Sequence, residues 1–177
     1  MRGTSFDVFN PYTHLVELLD HKVETELIRT KVDVIFKEML QAATPRPGVE
    51  QYLKSATAMN LKIGLASSSF YEWIEPYLIK FDLRHYFDAI CTADVVSEVK
   101  PNPELYLLCA EKLGVDPADA IAFEDSINGS KAAFAAGMPC VIVPNEMTKH
   151  YTFLEYSLMI PSMTDMALAD VITSISR

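Results

Sequence analysis

Two carboxylates stand side by side at Glu124 and Asp125, directly after the apolar run Ala120–Phe123 and directly before a Ser126–Gly129 turn into an Ala-rich helical stretch. Strand, carboxylate pair and helix start, in that order, place negative charge where open α/β sheets hold their ligands, beyond the carboxyl ends of the strands. Two acidic side chains on a rigid strand end suit a hard divalent cation such as Mg²⁺. The same residues allow a plainer use, with Asp125 or Ser126 serving as the N-cap of the following helix.

Two further strand ends collect residues of this kind. Ala66-Ser67-Ser68-Ser69 follows the apolar run Ile63–Ala66, and hydroxyls with backbone N–H groups beside a helix N-terminus form a seat for phosphate. Ser67, first after the strand, is the expected contact, the alternative being an ordinary serine N-cap. Lys100 stands between Val99 and Pro101. Proline biases the residue before it toward an extended backbone, so the lysine sits on a stiff segment. There it can offset a phosphate or a neighbouring carboxylate as a point charge, where most lysines are simply solvated. Hydroxyls, a fixed lysine and a carboxylate pair converging on one crevice make most of a phosphoryl-transfer site, in which catalysis is largely positioning and electrostatics.

The elements that must position these residues are legible from periodicity. Residues 11–43 read as helical, with Ile28, Val32, Ile35 and Met39 at i, i+4, i+7 and i+11. The Pro45-Arg46-Pro47-Gly48 cluster breaks that pattern and marks a boundary between residues 1–44 and 45–177. Beyond it, strands expected at Ile63–Ala66, Ala89–Cys91, Ile121–Phe123, Cys140–Val143 and Leu158–Ile160 alternate with helices expected at Val49–Asn60, Phe70–Phe81, Pro103–Leu113, Gly129–Ala136 and Met166–Ile175. Pro76 is expected to kink the second of these helices or delay its start. Asn102 is expected to cap the third, with Pro103 at its first position. Strands that are apolar throughout and alternate with helices predict an α/β fold: a doubly wound parallel sheet covered on both faces.

Composition narrows the class of function. The 177 residues are 50% apolar and 22% charged, with a net charge of −9. An acidic chain without a Lys/Arg cluster disfavours nucleic acid and anionic membrane surfaces as partners. Three dispersed cysteines, Cys91, Cys109 and Cys140, read as small buried hydrophobes in a reducing compartment. With neither a signal-peptide pattern nor a membrane-length apolar run, a cytoplasmic location is expected.

The segments ASSS, VKPNPELY and AFEDSINGSKAAFAAGM, in that order, resemble motifs two, three and four of the haloacid dehalogenase-like (HAD-like) hydrolase superfamily, in particular its β-phosphoglucomutase-like branch. The resemblance runs from Pro47-Gly48 to about Pro144. It implies a HAD-like Rossmannoid core over 45–177 and a partial helical cap over 1–44. It also implies roles: Ser67 and Ser68 bind the phosphoryl group, Lys100 steadies nucleophile and phosphate, and Glu124 and Asp125 hold Mg²⁺ directly or through water, Asp125 being the direct ligand. The implied partner is a small phosphorylated metabolite, and the implied activity a phosphatase on a sugar phosphate.

One motif of that family has no counterpart. Its nucleophile is the first Asp of a DxD motif on the first core strand, and this sequence contains no D-x-D. Asp7 has neither the strand nor the partner acid, so the role is not carried over to it. The resemblance then implies a chain shortened at its N-terminus, lacking the first core strand and inactive as it stands. A non-catalytic phosphate- and metal-binding protein and a phosphomutase are the alternatives. A Rossmann-type nucleotide-binding domain is a third reading, and the absence of G-x-G-x-x-G and of a Walker lysine motif speaks against it. The missing strand lies in the family between those of motifs two and four. Those two strands are therefore expected either to pair directly or to stay about 9–10 Å apart, two strand spacings, with the slot empty or filled from elsewhere; strands in different sheets would overturn the whole assignment. Exposed edges would leave the chain a monomer or weak homodimer. Arg46, Phe9 and Tyr12 are candidates to line the cleft between cap and core, Arg46 alternatively serving as a hinge residue.

Overall fold

The computed structural model describes residues 11–19 and 24–175. Asp7 and Phe9 lie outside the described residues, and Tyr12 is described only as helix backbone. Helices α1 (Pro11–Leu18) and α2 (Thr25–Ala42) pack on each other. The apolar stripe expected on α2 forms at helical spacing but is not covered: Val32, Ile35 and Met39 are 37%, 57% and 67% exposed. An eight-residue α1 is too short to cover an 18-residue neighbour. At the far end of α2, Lys80 donates to the Leu40 and Gln41 carbonyls at 2.9 and 2.8 Å.

The connection that follows is seated against the rest of the chain. Gly48 adopts φ 87°, and a Cβ there would lie 2.6 Å from the Met163 carbonyl carbon, so both conformation and space call for glycine. Then come α3 (Val49–Ala58), β1 (Gly64–Ala66), α4 (Tyr71–Lys80), β2 (Ala89–Cys91), α5 (Glu104–Leu113), β3 (Ala122–Glu124), α6 (Ile127–Ala135), β4 (Cys140–Ile142), β5 (Leu158–Met159) and α7 (Leu168–Ile175). All three ladders are parallel, with Leu65 opposite Ile90, Phe123 opposite Val141, and Val141 opposite Leu158. Alternate residues of β4 feed opposite faces, as strand geometry requires. Val141 packs with Tyr52, Leu168 and Val171 of α3 and α7, while Cys140 and Ile142 pack with Tyr106, Ala132 and Ala133 of α5 and α6. Helices cover both faces, and the fold is the doubly wound α/β arrangement.

Three details differ from the sequence expectation. Helix α4 is already regular from Tyr71, five residues before Pro76, so the proline does not delay its start. Helix α5 starts at Glu104, with Pro103 just before it, although Asn102 Oδ1 does accept the Glu104 N–H at 2.9 Å. Strand β3 extends through Glu124, which leaves Asp125 as the first residue beyond it.

The sheet itself is divided. Among the described residues, β1 pairs only with β2, and β3 pairs with β4, which pairs with β5. Direct pairing of β1 with β3 does not occur. By hydrogen bonding alone the two strands fall in different sheets, the outcome expected to overturn the whole assignment. That criterion is too coarse, because a slot one strand wide separates two ladders as completely as unrelated sheets do. Lys100 Nζ bonds at once to the Ala66 carbonyl of β1 and the Glu124 carboxylate of β3, so the two strands face each other across one cleft.

Candidate functional site

The carboxyl ends of β1 and β3 open into a cleft of about 410 Å³ whose lining includes Ser67, Ser68, Lys100, Glu124 and Asp125. The structure thus brings all five sequence-predicted residues together, and Arg46 with them.

The serines follow β1 directly. The Ser67 N–H donates to the Cys91 carbonyl at 2.9 Å, and Ser67 Oγ accepts the Ser69 N–H at 3.1 Å. The serines do not cap α4. Asp94 does that work, accepting the Tyr71 N–H at 2.7 Å and the Thr92 hydroxyl at 2.8 Å. The backbone bond from Tyr71, and then the Thr92 hydroxyl, hold the Asp94 carboxyl below its ordinary range.

Lys100 is not a solvated lysine: its side chain is 11% exposed and that of Glu124 is 6% exposed. Its Nζ donates to the Ala66 carbonyl at 2.9 Å, to the Tyr106 hydroxyl at 3.2 Å and to Glu124 Oε1, and lies 4.5 Å from the Tyr106 ring centroid. Tyr106 in turn donates to Glu124 Oε1. Burial first, then the Glu124 charge, push the phenol far above its usual range and keep it a donor. Glu124 Oε2 accepts the Ser126 hydroxyl at 3.2 Å. The carboxylate lies over the first turn of α6, where a Cβ on Gly129 would come within 1.9 Å of Oε2.

Asp125 is placed differently. Its side chain is 41% exposed, and Oδ2 accepts the Asn145 amide at 2.8 Å with the Arg46 guanidinium 3.7 Å away. The helix-cap duty belongs to Ser126, whose Oγ accepts the Gly129 N–H at 3.0 Å. Asp125 therefore has no capping role, and the plainer use of the carboxylate pair falls to its neighbour. Mg²⁺ is usually held by one or two carboxylates, with waters and phosphate oxygens completing an octahedron. An accessible aspartate with a buried glutamate behind it fits that requirement, although among the described residues no group of three or more His, Cys, Asp or Glu side chains makes a ready cage.

Sequence reasoning missed Tyr106 and Asn145. Tyr106 stands six residues after Lys100 within the same motif, on the buried side of a helix, and nothing in its spacing says what its hydroxyl meets. Asn145 carried a weaker signal: it is a polar residue in the loop that follows β4, at the carboxyl end of a fourth strand.

Residues 5–137 match the family model described as haloacid dehalogenase-like hydrolase. The chain belongs to the HAD-like hydrolase family. It is 48% identical over 161 residues to YhcW of Bacillus subtilis, which carries a provisional phosphatase name; the match covers 91% of this chain and 73% of that protein. It is 39% identical over 127 residues to hexitol phosphatase B of Escherichia coli, covering 71% of this chain and 57% of the relative. Among solved structures, CbbY of Rhodobacter sphaeroides in complex with xylulose-1,5-bisphosphate superimposes with a TM-score of 0.67 at 31% identity, covering 70% of this chain and 57% of that one. Less than two thirds of the hexitol phosphatase and of CbbY is therefore spanned. No described helix of this HAD-like chain is long and apolar enough to cross a membrane.

Proposed function

We propose that this HAD-like protein is a Mg²⁺-dependent phosphatase of a small sugar phosphate, with residues 1–44 forming part of a cap over the core of 45–177. The observation that carries the reading is the convergence of Ser67, Ser68, Lys100, Glu124 and Asp125 on one cleft at the ends of two facing strands. The substrate class follows the hexitol phosphatase that the chain resembles. Ser67 and Ser68 bind the phosphoryl oxygens, Lys100 offsets their charge, and Asp125 holds the cation, with Glu124 behind it. Bound there, Mg²⁺ would supply charge screening to the phosphoryl group.

The nucleophile is the part this sequence does not provide, since it has no D-x-D. We read the chain as a shortened form in which the complete enzyme's first strand, carrying that motif, fills the slot between β1 and β3. A non-catalytic binding protein is the second reading, and the same absence favours it. The test compares the 177-residue chain with a form extended upstream by its own in-frame D-x-D strand, using a generic phosphate ester with Mg²⁺. The extended form is expected to turn over, to stop on chelation, and to lose at least about 10²-fold in kcat on Asp125→Ala. Turnover by the 177-residue chain itself would show that its own residues suffice. Lack of an upstream D-x-D strand would leave the binding protein as the reading. The protein is expected in the cytoplasm, as a monomer or weak homodimer.

A further inference from the structure

Asp125 is the accessible carboxylate of the cleft, and a carboxylate that can rotate binds a cation less well than one that cannot. We propose that Asn145 is the positioning residue for Asp125, fixing the rotation of its carboxylate so that Oδ1 is the oxygen offered to a divalent cation. The inference rests on the reading of Asp125 as a metal ligand and adds a residue to it.

Three observations carry it. The Asn145 amide nitrogen donates to Asp125 Oδ2 at 2.8 Å, which occupies one carboxylate oxygen and leaves the other. The amide cannot turn over. Its Oδ1 accepts the Met147 N–H at 2.8 Å and the Thr148 N–H at 3.0 Å. A flipped amide would set its NH₂ against two N–H donors and its oxygen against a carboxylate. The backbone that carries Asn145 is itself held. Its N–H donates to Thr148 Oγ1 at 3.0 Å, and Arg46 donates to the two preceding carbonyls, Val143 at 2.8 Å and Pro144 at 2.6 Å. Arg46 does not do the orienting itself, because 3.7 Å from its guanidinium to Oδ2 is too long for a hydrogen bond. Asn145 is neutral, so it fixes the ligand without competing in charge with the cation. Partners of this kind behind a metal ligand typically govern 10–100-fold of metal affinity.

The experiment measures Mn²⁺ binding to the 177-residue chain from the electron paramagnetic resonance signal of free Mn²⁺, with no phosphate ester present. Activity plays no part in the readout. Asn145→Ala is expected to weaken binding by about 10–100-fold. Asn145→Ser keeps an oxygen to cap the turn but cannot reach Asp125; it is expected to weaken binding equally, and it serves should the alanine variant fail to fold. Thr148→Val loosens the same turn without touching the amide and is expected to stay within about threefold of the parent. Parent-like Mn²⁺ affinity in Asn145→Ser, or an equal loss in Thr148→Val, would overturn the proposal. Asp125→Ala separates the two levels. If it leaves Mn²⁺ binding unchanged, the metal reading fails and the inference with it; if it abolishes binding while Asn145→Ser keeps the parent affinity, the inference alone fails.

Discussion

A carboxylate as deeply buried as that of Glu124 needs hydrogen-bond partners, and the cleft supplies Lys100, Tyr106 and Ser126. Their contributions differ in kind. Removing the cation leaves a buried charge with neutral donors alone, which typically costs about 3–5 kcal/mol. Removing the phenol deletes one hydrogen bond to a charged group, worth about 1.5–3 kcal/mol. Lys100→Met is therefore expected to lower the urea midpoint more than Tyr106→Phe, and the reverse order would mean that the lysine is not the main counter-charge of Glu124. Pro101 and Pro103 made Lys100 legible as a cation on a stiff segment, and the carboxylate pair was legible from its place at a strand end. Which carboxylate faces the lysine was not, because strand alternation and burial decide that only once β3 is seen to run through Glu124.

Helix starts show where local sequence suffices and where it does not. Ser126 caps α6 three residues from its partner, Gly129, and such a short-range cap is readable from the chain. Asp94 caps α4 from 23 residues away, and no local pattern announces it. Its carboxyl is depressed in the folded chain, so its contribution is present above the unfolded value near 4 and is lost as pH falls toward the folded value. Asp94→Asn keeps a capping oxygen without the titration; its Tm is expected to fall less steeply than the parent's below about pH 4. Gly129 carries the opposite lesson about propensity. In a helix interior Gly→Ala gains about 1 kcal/mol, yet here the added Cβ meets a carboxylate pinned by four donors. Overpacking of that kind costs about 1–3 kcal/mol. Gly129→Ala is expected to be neutral to destabilising in urea unfolding, and a gain in stability would show that the Glu124 carboxylate is free to move.

For the whole molecule, the decisive feature is the edge that two parallel ladders turn toward each other. The alternation of strand and helix made the doubly wound fold legible, and the absent D-x-D pointed to the division of its sheet. Which outcome the division takes depends on the balance between closing two edges together and keeping the helices of each half packed, and no residue pattern states that balance. The direction of each peptide on these edges follows from the bonds that are made. Ser67 donates to the Cys91 carbonyl of β2, so Ser67 and, by alternation, Leu65 face β2, while Ala66 faces the slot. The Ala66 carbonyl meeting Lys100 there agrees with this. On β3, Ala122 donates to the Pro139 carbonyl and Glu124 accepts from Val143, which turns Phe123 toward the slot. Amides without a ladder partner exchange with solvent on local opening, whereas ladder amides need a larger unfolding event. In the 177-residue chain, Ala66 and Phe123 are expected to exchange at least about tenfold faster than Ser67 and Ala122 by hydrogen-exchange NMR. In a form extended by a strand that enters the slot, Ala66 and Phe123 should slow to match their neighbours, because a central parallel strand takes bonds on both edges. Equal protection in the shorter chain would mean that the edges already have partners, either each other or a second molecule, and dilution would separate those two cases.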